Sequence, residues 1–158
     1  MNIRPVTPED REWLAELIGT AFGSVRLMSN DQLIEDASRL DGFAGEIDGR
    51  PVGCALINVV DGDTELVALV STYRGAGVGS GLLEAVVERG KRDGWKRLWL
   101  VTSNDNTDAI RMYQRAGWDW TEFRRDAITE ARAMKPEIPE FGNHGIPVRH
   151  EIHFEAPL

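Results

Sequence analysis

The sequence predicts a mixed α/β fold carried by one domain, residues 1–158. Three observations predict it. Hairpin signals fill the first part of the chain, a strand–glycine loop–helix–strand run follows, and the 158 residues are 42% hydrophobic, enough to bury one core. Antiparallel strands that give way to a βαβ crossover imply a central mixed, mostly antiparallel sheet of about seven strands. Helices are expected on both faces, with one parallel pair.

Taken in order, Ile3–Val6 reads as a short first strand. Pro8–Phe22 reads as a helix with Trp13, Leu14, Leu17, Ile18 and Ala21 on one face. Thr7 is placed to N-cap it and Pro8 suits its first turn. Asp31–Leu40 reads as a second, shorter helix. Gly42–Ile47 and Val52–Val60 are strands, joined by the Asp48-Gly49 hairpin signal. Asp61-Gly62-Asp63 turns into the apolar strand Glu65–Val70. Val78, Leu82, Leu83, Val86, Val87 and Gly90 then recur at helical spacing. Arg97–Thr102, apolar in its middle, has the pattern of a strand buried on both faces. Thr107–Ala116 is a helix ended by Gly117, and Trp118–Phe123 a strand. Helical spacing returns from Ala127 to about Met134. Lys135–Pro147, with three prolines and two glycines, is a loop, and Val148–Phe154 is the last strand.

Composition excludes several classes. Eighteen basic against 26 acidic residues give a formal net charge of −8, which repels polyanions and argues against nucleic-acid binding. No apolar run approaches a membrane span and no signal-peptide core opens the chain. The single cysteine, Cys54, rules out an internal disulfide framework and fits a reducing, cytoplasmic setting. It lies in an apolar run, as a small buried strand residue does. His150 and His153, three apart on a strand, should face opposite sides, and His144 is in a loop, so no metal site is expected. The tryptophans Trp95, Trp99, Trp118 and Trp120 read as core and rim residues.

The most informative segment is Tyr73-Arg74-Gly75-Ala76-Gly77-Val78-Gly79-Ser80-Gly81, between a strand and a helix. Unpaired N–H groups and the positive dipole end at a helix start favour an anion, and glycine lets it come close. A Walker loop needs Lys and Ser or Thr after its last glycine, but Gly79 is followed by Ser80-Gly81. The G-x-G-x-x-G fingerprint fails at Ser80 and Leu82. A nucleophile elbow fails because Val78 and Leu82 flank Ser80. What remains is Arg74-x-x-Gly77-x-Gly79. It resembles the coenzyme A pyrophosphate loop of the GCN5-related N-acetyltransferase (GNAT) family. A second match follows in family order: Asn106, Ala109, Tyr113, Gly117 and Trp118 fill the places of that family's second signature. The tail from Lys135 to Arg149 resembles a C-terminal pattern of an uncharacterised, bacterial-type branch of the family.

The resemblance implies a GNAT-like fold and an acyl-CoA-dependent N-acyltransferase using acetyl-CoA as co-substrate, with no metal. Its acceptor is a small-molecule amine or a peptide or protein amine. Backbone groups from Gly75 through Ala76, Gly77, Val78 and Gly79 to Ser80 are assigned to the pyrophosphate, with Arg74 adding charge. Leu69, Val70 and Ser71 are assigned to the pantetheine arm in strand fashion. Tyr113 matches the family's general acid. Asn106 is an N-cap that also touches the cofactor. Glu65 is the first choice of general base; Asp63, two residues earlier on the same parity, and water stay open, and a β-bulge could change which side chain faces the thioester. A solvated strand end is the plainer reading of both carboxylates. A non-catalytic acyl-CoA-binding module on the same fold is the alternative, and a glycine-looped nucleotide-binding domain a third. The 127–147 segment lines the acceptor site or caps the sheet edge. A homodimer is compatible with an exposed edge at the last strand.

Overall fold

The computed structural model describes residues 1–29 and 31–158. These form two compact units, Met1–Leu98 with Leu158, and Trp99–Pro157.

The first unit holds β1 (Asn2–Pro5), α1 (Arg11–Phe22), β2 (Leu27–Ser29), β3 (Gln32–Ile34), β4 (Asp41–Ile47), β5 (Arg50–Val60), β6 (Asp63–Ser71) and α2 (Val78–Asp93). Four strands form a sheet in the order β1-β4-β5-β6 with antiparallel pairing throughout. Alternation along β5 sends Cys54 and Leu56 to one face, where they join Leu14 and Ile18 of α1, Leu27, Ala37 and Ala68 in a buried cluster. On the other face Val78 and Leu82 of α2 reach Gly45 and Gly53. Helices thus cover both faces of this sheet, as the amphipathic spacing requires. The β5–β6 register steps from Leu56↔Ala68 to Ile57↔Leu66. Val67 is the extra residue of a bulge, and it packs toward the α1 cluster as Ala68 does.

The second unit holds β7 (Arg97–Ser103) from Trp99 onward, α3 (Thr107–Arg115), β8 (Asp119–Arg124), α4 (Ala127–Ala131) and β9 (Glu151–Glu155). Its strands run in the order β7-β9-β8, both pairs antiparallel. Tyr113 of α3 packs on Phe154 and Trp118 at centroid separations of 5.5 and 6.0 Å. Trp99 and Trp118 are buried, whereas Trp120 is 49% exposed.

The structure corrects several expectations. Asp31–Leu40 is not a helix: β3 pairs with β2 as a hairpin, and a 3-10 turn covers Ala37–Arg39. The Asp36 carboxylate accepts from the Ser38 amide at 3.0 Å, a local bond that competes with helical continuation. The first helix opens with a 3-10 turn, Pro8–Asp10, before α1. Thr7 is the N-cap of that turn, as expected, in a capping box with Asp10, whose carboxylate accepts from the Thr7 amide and hydroxyl at 2.7 and 3.3 Å. The fourth helix stops at Ala131, and the last strand begins at Glu151 rather than Val148. His150 therefore precedes the strand, and its Nδ1 accepts from the Asp126 amide at 2.9 Å.

Candidate functional site

The glycine segment lies where its sequence pattern points, between the end of β6 and the start of α2. Leu69, Val70 and Ser71 finish β6, paired on one side with Ala55, Cys54 and Gly53. The chain then leaves the sheet under control: the Thr72 amide and hydroxyl both donate to the Val52 carbonyl, at 2.8 and 3.0 Å. Gly75 and Gly77 take φ of 81° and 75°, a region glycine enters without strain. Arg74, Gly75, Ala76, Gly77 and Ser80 are exposed, Gly79 is half-buried and Val78 is buried. The Gly81 amide donates to the Gly77 carbonyl at 2.9 Å and so opens the helical ladder. The amides from Val78 to Ser80 precede that bond, as the first donors of any helix do. A Cβ at Gly75 or Gly77 would meet nothing within 4 Å, so the space beside both glycines is open. Clear space, early helical amides and the positive dipole end together fit a pyrophosphate.

Glu65 stands on β6 before the bulge. It is 5% exposed, which corrects the reading of a solvated strand end. Its partner across the ladder is Asn58. The Ser29 hydroxyl donates to Glu65 Oε2, and Asn58 Nδ2 lies 3.3 Å from that hydroxyl as its donor. Asp63 differs: it is exposed and lies 3.6 Å from Arg97. The bulge at Val67 follows both carboxylates, so it leaves them on one parity, and burial alone sets them apart.

In the second unit α3 carries Tyr113 and is preceded by Asn106. Tyr113 is 6% exposed, and burial alone pushes its phenol above the ordinary tyrosine range. Asn106 takes the N-cap position without the N-cap bond. Its Nδ2 donates instead to Thr102 Oγ1 at 3.3 Å, a correction of the capping role. The 135–147 segment is bound into this same turn. Asp105 Oδ2 accepts from the Asn143 amide and side chain at 2.9 and 3.0 Å. Asn104 Oδ1 accepts from the Arg149 and His150 amides, both at 2.9 Å. Arg132 donates to the carbonyls of Ile138, Pro139 and Val148.

Sequence reasoning missed Ser29, Asn58, Asn104 and Asp105. Asn58 had a signal, one polar residue inside an apolar run, and so had the polar triplet Asn104-Asp105-Asn106. Ser29 had none, because it meets Glu65 only through the fold. Among the described residues no group of three His, Cys, Asp or Glu side chains is arranged to hold a metal ion. None of their helices is long and apolar enough to cross a membrane.

Residues 8–118 match the family model described as acetyltransferase (GNAT) family. The Bacillus subtilis (strain 168) protein named uncharacterized protein YdhI is 39% identical over all of this chain and 99% of its own. A GNAT family acetyltransferase from Elizabethkingia anophelis, solved with acetyl-CoA bound, superimposes with a TM-score of 0.68 at 21% identity, covering 99% of this chain and 97% of that one. A ribosomal-protein-alanine N-acetyltransferase from Brucella melitensis gives a TM-score of 0.72 at 17% identity over all of both chains. The shared fold is the mixed α/β one that the sequence predicts.

Proposed function

Because the chain belongs to the GNAT acetyltransferase family, we propose that residues 1–158 act as one catalytic domain that transfers an acyl group, foremost acetyl, from coenzyme A to a primary amine. The observation that carries this reading is the open glycine cradle at the start of α2, with Gly75 and Gly77 left-handed. Amides of Gly75–Ser80 hold the pyrophosphate and Arg74 adds positive charge. Leu69–Ser71 offer backbone groups to the pantetheine arm, and Asn106 contacts the cofactor. When bound, acetyl-CoA supplies a thioester carbonyl open to attack.

Two residue roles complete the reading. Glu65, held by Ser29, takes the amine proton directly or through a water. Tyr113 gives its proton to the departing thiolate, and its burial supports that role by keeping the phenol protonated at neutral pH. The acceptor attacks directly, without a covalent enzyme intermediate. Cys54, the one candidate thiol, is buried and pushed up to about 12, which makes it a poor nucleophile. A cytoplasmic location suits that free thiol.

Calorimetric titration with acetyl-CoA, with ATP and NAD as controls, tests the cradle. Selective binding of acetyl-CoA is expected, and its absence from a folded sample overturns the reading. An amine panel then follows with Tyr113→Phe and Glu65→Gln beside the wild type. Tyr113→Phe should lower turnover by about a hundredfold or more with affinity for acetyl-CoA retained. Binding without turnover on any amine would favour the acyl-CoA-binding module instead.

A further inference from the structure

We propose that Ser29 and Asn58 are positioning residues for Glu65, joined in a hydrogen-bond chain that runs one way, Asn58 to Ser29 to Glu65, and holds the carboxylate charged and aimed. The inference rests on Glu65 as the proton acceptor of the transfer proposed above.

The three residues come from three strands. Ser29 ends β2 and is 3% exposed, on the same parity as the buried Leu27. Asn58 and Glu65 are partners across the β5–β6 ladder. They meet only because of the bulge. In an unbroken ladder the pair Leu56↔Ala68 would be followed by Leu66 opposite Asn58, and Glu65 would turn to the α2 face. The extra residue Val67 shifts the parity, so Glu65 joins Asn58, Cys54 and Leu56 on the α1 face.

The direction of the chain follows from counting hydrogens. A serine hydroxyl has one hydrogen to give and lone pairs with which to accept. Ser29 gives that hydrogen to Glu65 Oε2. Toward Asn58 it can then only accept, and Asn58 Nδ2 donates to it at 3.3 Å. Turned the other way, the Asn58 amide would set a second acceptor against a single hydrogen. Burial of Glu65, at 5% exposed, opposes its charge. Donors in line polarise one another and favour the ionised form.

The charged and ionisable groups on the surrounding elements are a constant background. Cys54 is buried on the same face of β5. Asp63, earlier on β6, is exposed and lies 3.6 Å from Arg97. About the β2–β3 hairpin, Asp31 is exposed and Arg26 lies 3.4 Å from Glu35. The charged residues of α1 are all exposed. The substitutions below leave every one of these in place.

Carbon-13 NMR of the side-chain carboxyls reads Glu65 directly, its resonance identified by loss in Glu65→Gln. Ser29→Ala removes a donor to the charged form and should raise the proton affinity of Glu65 by about tenfold. Asn58→Leu acts through Ser29, so it should raise that affinity by about threefold alone and add little in the Ser29→Ala background. Ser29→Thr keeps a hydroxyl and should titrate close to the wild type. On any amine that the wild type acetylates, kcat should fall in Ser29→Ala and return in Ser29→Thr, with acetyl-CoA affinity unchanged. Far-UV circular dichroism confirms that each variant stays folded across the titration. An unmoved Glu65 titration in Ser29→Ala overturns the proposal. So does an Asn58→Leu effect that adds in full to that of Ser29→Ala, or turnover that needs Glu65 yet ignores Ser29→Ala. A wild type inert toward every amine would remove the proposed reaction instead, while the titration judges the chain by itself.

Discussion

Asp10 is 4% exposed yet built to stay charged. Arg4 meets it with two parallel bonds, at 2.8 and 2.9 Å, the Thr7 amide donates at 2.7 Å and Trp13 Nε1 at 2.8 Å. Arg4 foremost, then the Thr7 and Trp13 donors, holds this carboxyl well below the usual carboxylate range against the opposing cost of burial. A depressed folded pKa has one sign: the stabilisation is complete above the unfolded value, near ~4, and fades as pH falls below it. Asp10→Asn keeps the shape and removes the charge, leaving Arg4 with one acceptor fewer. Urea unfolding at neutral pH should show a loss of about 2 kcal/mol. Repeated in acid, the gap between variant and wild type should narrow, because the wild-type carboxylate is then being protonated too. A gap that stays constant through the acid range would mean that Asp10 acts through packing rather than charge. The sequence showed Asp10 only as an acidic residue early in a helix, since the partner that matters, Arg4, belongs to a different element.

At the scale of elements, the turn between β7 and α3 does two jobs. It brings Asn106 to the head of α3, and through Asn104 and Asp105 it ties down the 135–147 segment. The tie is close. A Cβ on Gly142 would lie 2.1 Å from Asp105 Oδ2, so only glycine lets the backbone run past that carboxylate. Arg132 fastens the other side of the segment with its three carbonyl acceptors. Arg132→Ala leaves those carbonyls to find water. Amide exchange across 135–148 should quicken by about tenfold, with β9 unchanged. Equal quickening in β9 would show that Arg132 supports the whole second unit instead of its loop. The prolines and glycines of this segment marked it as a loop from sequence, but its anchors left no trace. Carbonyl acceptors belong to every residue, so no side-chain pattern shows where an arginine finds them. The same limit explains Asp31–Leu40, where a turn at Asp31, with φ of 60°, and a capping Asp36 override a weakly helical spacing.

Across the whole molecule, the succession of strands along the chain could be expected from apolar runs and turn chemistry because most strands have a dominant buried face. The cradle could be read because glycines at a helix start have few other uses. The Glu65–Ser29–Asn58 cluster could not, since three segments meet there only after folding. Cys54 offers a probe of how far the first unit acts as one body. Its side chain is 0% exposed within the cluster beneath α1, and burial pushes its thiol up to about 12. A raised folded pKa carries the opposite sign to Asp10. The unfolded thiol ionises from ~8.5 while the folded one keeps its proton, so this residue lowers stability as pH climbs through that window. At neutral pH iodoacetamide should therefore label Cys54 only through opening events. The cradle and Cys54 belong to the same unit, on neighbouring strands. If the opening that exposes Cys54 also dismantles the cradle, acetyl-CoA at a hundred times its dissociation constant should slow labelling by roughly a hundredfold. ATP at the same concentration should not. Labelling slowed by neither ligand, in a protein that binds acetyl-CoA, would mean that β5 opens locally while the glycine loop and α2 stay folded.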